Sequence, residues 1–127
     1  MKIAFIGTYP PRECGIGTFT QNLYNSMIKH HAKRRVSTEG FMVAMDDLEQ
    51  TYDYPEEVKL SIRQEHQRDY LKGAKFINIS GADICILEHE FGIFGGEDGV
   101  YILPLLHRLE IPLIVTLHTI LKAPSTN

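Results

Sequence analysis

Ile3-Ala4-Phe5-Ile6-Gly7-Thr8-Tyr9-Pro10-Pro11-Arg12-Glu13-Cys14-Gly15-Ile16-Gly17-Thr18-Phe19 decides the fold, because a strand-length apolar run passes through a Pro/Gly loop straight into an amphipathic helix. That arrangement aims the first backbone N–H groups of the helix at whatever sits above the strand end. The helix start carries about half a positive charge, so a phosphate is the ligand that suits it best. The spacing is not Gly-x-Gly-x-x-Gly: Gly15 and Gly17 are followed by Thr18 and Phe19, and Thr20 stands where the third glycine belongs. No Lys-Ser/Thr pair follows the loop either. The ordinary dinucleotide and P-loop readings lose their support, and a phosphate-friendly loop of another kind remains.

Outward from this stretch the same alternation repeats. Residues 2–7 read as a strand and 17–33 as a helix whose inner face carries Phe19, Leu23 and Met27. Residues 40–45 form a second strand, 49–57 a polar surface loop and 58–62 a weaker strand with alternating character. Residues 65–80 read as a helix with Tyr70, Leu71, Ala74 and Ile77 facing inward, closed by Gly81-Ala82-Asp83. Ile84-Cys85-Ile86-Leu87 lacks alternation, which predicts a strand buried on both faces. A glycine-rich loop over 91–99 leads to a helix from about Val100 to Leu109, where Pro104 demands a kink or a later start. Residues 112–117 make the last strand. Strands alternating with helices predict the α/β class: an open, mainly parallel sheet flanked by helices, with ligands gathering at the strands' carboxyl ends.

The 127 residues suit a single domain. The sheet pattern stops abruptly after residue 117, which predicts an excised domain or a truncated product. A hydrophobic share of 43% beside 23% charged residues is ordinary for a folded chain. A net charge of −3 gives no general attraction to nucleic acid. The basic run over 29–35 reads as a cation-rich last helical turn complementing the helix dipole. Cys14 and Cys85 make no disulfide framework, and the longest apolar runs are far below the roughly 18 residues of a membrane span. The cytoplasm is the expected compartment, and any membrane contact is expected to be peripheral.

Chemistry concentrates at three strand exits. After the first strand come Arg12, which could reach an anion, and Cys14, which reads as a small, partly buried residue rather than a nucleophile. After 84–87 come Glu88, His89 and Glu90, two carboxylates and an imidazole suited to a polyhydroxylated ligand. In an extended segment Glu88 and Glu90 share one face and His89 takes the other. A zinc helix motif would need a second histidine where Ile93 stands, so no metal is expected. The last strand delivers His118 beside the hydroxyl of Thr119, at the same sheet edge as Gly15, Ile16 and Gly17. An NAD-dependent oxidoreductase would want an acidic residue closing the second strand, a place Asp46 could fill.

Taken together, Tyr-Pro-Pro-Arg-x-Cys-Gly-Ile-Gly-Thr-Phe-Thr at 9–20, Glu-His-Glu-Phe-Gly-Ile-Phe-Gly-Gly-Glu-Asp-Gly at 88–99 and Val-Thr-Leu-His-Thr at 115–119 resemble the N-terminal domain of family 4 glycosyltransferases of the GT-B fold, most closely the mannosyltransferase-like branch. The resemblance covers essentially the whole chain and about the first third of such an enzyme. It implies a Rossmann-like acceptor-side lobe over 1–127, with a nucleotide-sugar lobe missing from this chain. It further implies retaining sugar transfer, without an essential metal or other cofactor, from a nucleotide-sugar donor to a sugar-containing acceptor. By the same likeness Gly15, Ile16 and Gly17 approach the donor diphosphate or the acceptor, His118 contacts the transferred sugar, and His89 and Glu90 line the acceptor side. The glutamate pair and the diphosphate-gripping basic residues of the family's second lobe are absent here, so the isolated chain is expected to fold without transferring sugar. The alternative is a standalone Rossmann-like module that binds a phosphorylated metabolite or a protein partner and catalyses nothing.

Overall fold

The structure, a computed structural model, describes residues 1–29, 37–47 and 52–118. Thr119, residues 30–35 of the basic run and 49–51 of the polar loop lie outside the described residues. Five strands form one sheet in the order β3-β2-β1-β4-β5, every pairing parallel. They are β1 (Lys2–Gly7), β2 (Glu39–Asp46), β3 (Val58–Arg63), β4 (Ile84–His89) and β5 (Leu113–Leu117). The helices are α1 (Gly15–Tyr24), continued by a π turn over Asn25–Lys29, α2 (Gln67–Ile79) and α3 (Ile102–Arg108). The chain is an α/β protein with a Rossmann-like open sheet, and the expected strands all form.

β1 is central because it is the most apolar strand, with Phe5 standing between Met42 of β2 and Ile86 of β4. Alternation along the strands builds two cores. Ile3, Phe5, Tyr9, Met42, Ala44 and Ile86 meet α1 through Tyr24 and Leu23. Ala4, Ile6, Val43, Met45, Cys85 and Leu87 meet α2 and α3 through Tyr70, Ala74, Ile77, Ile102 and Leu105. Burying each of the larger side chains contributes about 1.5–3 kcal/mol. Helices therefore cover both faces, as parallel sheets require.

Several inward assignments need correction. Phe19 is 46% exposed and Leu71 38% exposed, whereas Thr20 and Tyr24 of α1 and Asp69 and Gly73 of α2 are buried. A small or hydrogen-bonded residue can approach the sheet more closely: Thr20 Oγ1 donates to Ile16 O at 2.8 Å, and Tyr24 Oη donates to Gly40 O at 3.0 Å. The segment 52–57 is likewise more than a surface loop, since Tyr54 Oη donates to the buried carboxylate of Asp46 and Tyr9 Oη donates to Glu57. α3 starts late, so Pro104 falls in its first turn, where a missing N–H costs little.

α2 is fixed at both ends. Gly81, at φ +81°, turns the chain after Ser80, whose hydroxyl donates to Ile77 O. At the start, Asp69 accepts from Arg63 Nε at 2.8 Å, Arg63 Nη2 at 3.0 Å and the Arg63 amide at 3.0 Å. The Arg63 guanidinium is the main reason that the Asp69 carboxyl lies below its ordinary range. A lowered carboxylate stabilises the fold above the ordinary aspartate range, about pH 4, and that contribution is lost as pH falls through the lowered native value. Arg63 is 41% exposed, so screening limits the pair to about 1 kcal/mol. Arg63→Met is expected to lose that much at neutral pH in urea titrations and to lose less than the parent on acidification.

β3 and β5 are the sheet edges. β5 carries exposed apolar side chains toward both faces: Ile114 at 50%, Val115 at 42% and Leu117 at 57%. Among the described residues no helix is long and apolar enough to cross a membrane.

Candidate functional site at the carboxyl ends of the strands

The carboxyl ends of β1, β4 and β5 bring the loaded residues to one edge. Beyond β1 the chain passes Thr8, Tyr9 and a cis Pro10-Pro11 bond, and α1 begins after Cys14. Arg12 is 9% exposed and turned away from the loop's open side. Its Nη1 donates to Met45 O at 2.7 Å, while Nε lies 3.8 Å from the Asp47 carboxylate. The guanidinium expected to meet an anion instead ties the loop to the end of β2.

Cys14 is the N-cap residue of α1, so a thiol rather than a hydroxyl or carboxylate oxygen faces the first-turn amides. Its thiol is held below the ordinary range. Burial pushes it up, but the Thr8 hydroxyl, the amides of Gly17 and Ile16 and the Arg12 charge push it down by more. The same donors and the Arg12 charge would favour negative charge at this place. Space is open above Gly15, where an added Cβ would meet nothing within 4 Å. Cys85 is the opposite case, fully buried in β4 with its thiol pushed up to about 12 by burial. Iodoacetamide at neutral pH is expected to label Cys14 more than about tenfold faster than Cys85, read by peptide mass spectrometry.

Glu88 and His118 form the centre of the edge. Glu88 lies on β4 and His118 just past the end of its neighbour β5, and both point to the α1 face, because Glu88 continues the Ile86 alternation and His118 that of Ile114 and Thr116. His118 Nε2 stands 2.6 Å from Glu88 Oε2. Glu88 is fully buried, and His118 is 15% exposed. The ring is packed edge-on against Phe19 of α1, centroids 4.8 Å apart, and the His118 amide donates to His89 O at 3.0 Å. Gly7 of β1 passes so close to this carboxylate that an added Cβ would lie 3.0 Å from Glu88 Cβ.

Orphaned polar atoms mark the same edge. Among the described residues, buried side-chain oxygens lacking a partner include Asp46 Oδ2 and Glu88 Oε1, at the ends of β2 and β4. Interiors rarely leave such groups unpaired unless a ligand or water completes them. Asp46 itself offers no open ribose contact, being fully buried with its other oxygen taken by Tyr54. Burial is also the main reason that its carboxyl is raised from the ordinary value. This removes the feature that the dinucleotide reading needed.

His89 takes the other face of β4, as alternation requires. Its ring packs on Phe94 at 5.5 Å and lines a pocket of about 380 Å³ with Glu97, Asp98, Val100 and Leu103. Glu90 is half-buried just past the strand. The structure therefore sets Glu88 and His118 together on the α1 face beside Phe19, holds Gly15, Ile16 and Gly17 at the start of α1 with Ile16 packed on the core of the opposite face, leaves His89 on that opposite face and assigns Arg12 to anchoring. Among the described residues no cluster of three or more His, Cys, Asp or Glu side chains could hold a metal ion.

Sequence reasoning named Glu88 and His118 separately and missed their pairing. Placing 84–89 and 113–118 side by side as parallel strands would have revealed it. Thr8 carried no signal beyond its place after the first strand. Comparisons with family models, curated proteins and solved structures found no match for this chain.

Proposed function

We propose that this chain is the N-terminal, acceptor-side lobe of a retaining glycosyltransferase, which moves a sugar, mannose by the closest likeness, from a nucleotide sugar to a glycan, lipid or small-molecule acceptor. The observation that carries the reading is the presence, at the carboxyl ends of neighbouring strands, of a helix start without an oxygen cap and a buried carboxylate–imidazole pair. A phosphate is matched by the amides at Gly15, Ile16 and Gly17, and a sugar hydroxyl by His118. The exposed apolar residues of β5 fit a lobe that packs against further structure.

The proposed chemistry follows from charge. As the glycosidic bond to the diphosphate breaks, negative charge builds on the leaving group. Amides aimed at it stabilise the transition state more than the ground state. The sugar gains oxocarbenium character, and a hydrogen bond with His118 orients it. The resemblance assigns the remaining diphosphate contacts to a second lobe, so the 127-residue chain should bind without turnover.

The test is amide and imidazole NMR of the chain titrated with GDP-mannose, UDP-glucose, GDP, inorganic phosphate and NADH. The expected result is that a nucleotide sugar shifts the Gly15, Ile16 and Gly17 amides together with the His118 ring, while NADH shifts neither. Equal responses to phosphate and to the nucleotide sugars, with His118 unmoved, favour the non-catalytic binding module. Silence of both regions toward every phosphate ligand overturns the reading.

A further inference from the structure

We propose that Glu88 is a positioning residue that keeps the proton of His118 on Nε2 and so leaves Nδ1 to accept a hydrogen bond from a ligand hydroxyl. The sugar contact in this inference rests on the function proposed above; the ring assignment does not.

Glu88 is out of reach of a sugar ring where it stands: it is fully buried beside Gly7, and among the described residues its Oε2 meets His118 Nε2 at 2.6 Å. An ionised carboxylate only accepts hydrogen bonds, so the proton in this contact belongs to Nε2. In a neutral imidazole the other nitrogen then carries a lone pair, and which nitrogen is protonated follows from the partner it holds. Phe19 packs against the ring at 4.8 Å, and the His118 amide is fixed to His89 O at 3.0 Å. Orientation and tautomer are thus both set from beneath the ring. A ligand meeting Nδ1 must bring a donor: a hydroxyl satisfies it, whereas a fluoro or deoxy analogue leaves it unpaired. Glu88 acts through His118 and touches no substrate.

The experiment is two-bond nitrogen–proton NMR of histidine-labelled protein at about pH 8, above the ordinary histidine range, with His118 assigned through His118→Gln. The parent protein should show the His118 ring protonated on Nε2. Glu88→Gln should keep the backbone amide fingerprint but move His118 to a mixture of tautomers, because the amide can either donate to Nε2 or accept from it. A parent ring protonated on Nδ1, or a His118 pattern unchanged in a folded Glu88→Gln, overturns the proposal. Should Glu88→Gln fail to fold, Gly7→Ala supplies the second variant: its new Cβ presses on Glu88 and must shift the His118 ring signals, and an unmoved ring counts against the proposal. The ligand arm is separate. Glu88→Gln should weaken GDP-mannose severalfold while leaving GDP unchanged. If the parent binds no nucleotide sugar, the proposed function fails while the ring assignment stands or falls on its own spectra.

Discussion

Gly95→Ala is expected to destabilise the protein by about 3 kcal/mol or more, at or beyond the upper end of ordinary overpacking. Gly95 is buried, and a Cβ there would lie 2.0 Å from the backbone oxygen of Gln64 and 2.8 Å from its carbonyl carbon. Neither atom can swing aside as a side chain could. Gln64 O accepts from Tyr70 Oη at 2.8 Å, and that hydroxyl in turn accepts from the Gly95 amide at 2.9 Å. Relief of the clash must therefore break a clasp joining the end of β3, α2 and the loop after β4. Burial has also pushed the Tyr70 hydroxyl up to about 12, so it works as a neutral donor and acceptor at any ordinary pH. Domains of this size have only about 5–15 kcal/mol of stability in total, so the loss should show as a large fall in the urea midpoint. Gly92→Ala is the control, since an added Cβ there meets nothing within 4 Å. Equal midpoints for the two variants would refute the clasp.

His118→Ala should cost about 3 kcal/mol or more at neutral pH, because truncating one member of a buried pair strands the other. Among the described residues Glu88 would keep its burial and lose His118 as the partner of Oε2, while Oε1 already lacks one. Desolvation of the carboxylate, more than the lost contact, sets the size of the effect. The double variant Glu88→Leu/His118→Leu removes the stranded charge, so it should be more stable than His118→Ala alone. A double-mutant cycle in urea checks the order. If the double variant is the less stable, the pair stabilises the fold by attraction and the desolvation argument fails.

Strand and helix order were legible because burial and period are local properties. Ile3–Ile6 reads as an apolar strand and Ile84–Leu87 as one buried on both faces, and Gly81 stops a helix by its conformation. Which helical residues face inward was less legible. Phe19 is apolar yet exposed, since its ring serves His118 at the sheet edge rather than the core. Leu71 yields its expected place to Asp69 and Gly73, through an ion pair with Arg63 and a close approach to Ile62. Such choices are made by partners distant in sequence. The site divides in the same way: alternation placed Glu88 and His89 on opposite faces, but nothing local announced that Glu88 would be sealed beneath His118 or that Arg12 would reach Met45.

The Arg12 anchor fixes what kind of seat the Gly15–Gly17 loop can be. A loop held to the end of β2 has already lost its freedom, so an arriving anion need not repeat the loss of about 1–2 kcal/mol for each residue ordered. Association there should be fast and indifferent to the rest of the ligand, because main-chain donors recognise charge and shape but not chemical identity. On the proposed function, discrimination must then come from the side chains around the seat, and a change at Arg12 should weaken every anion tested there by the same factor.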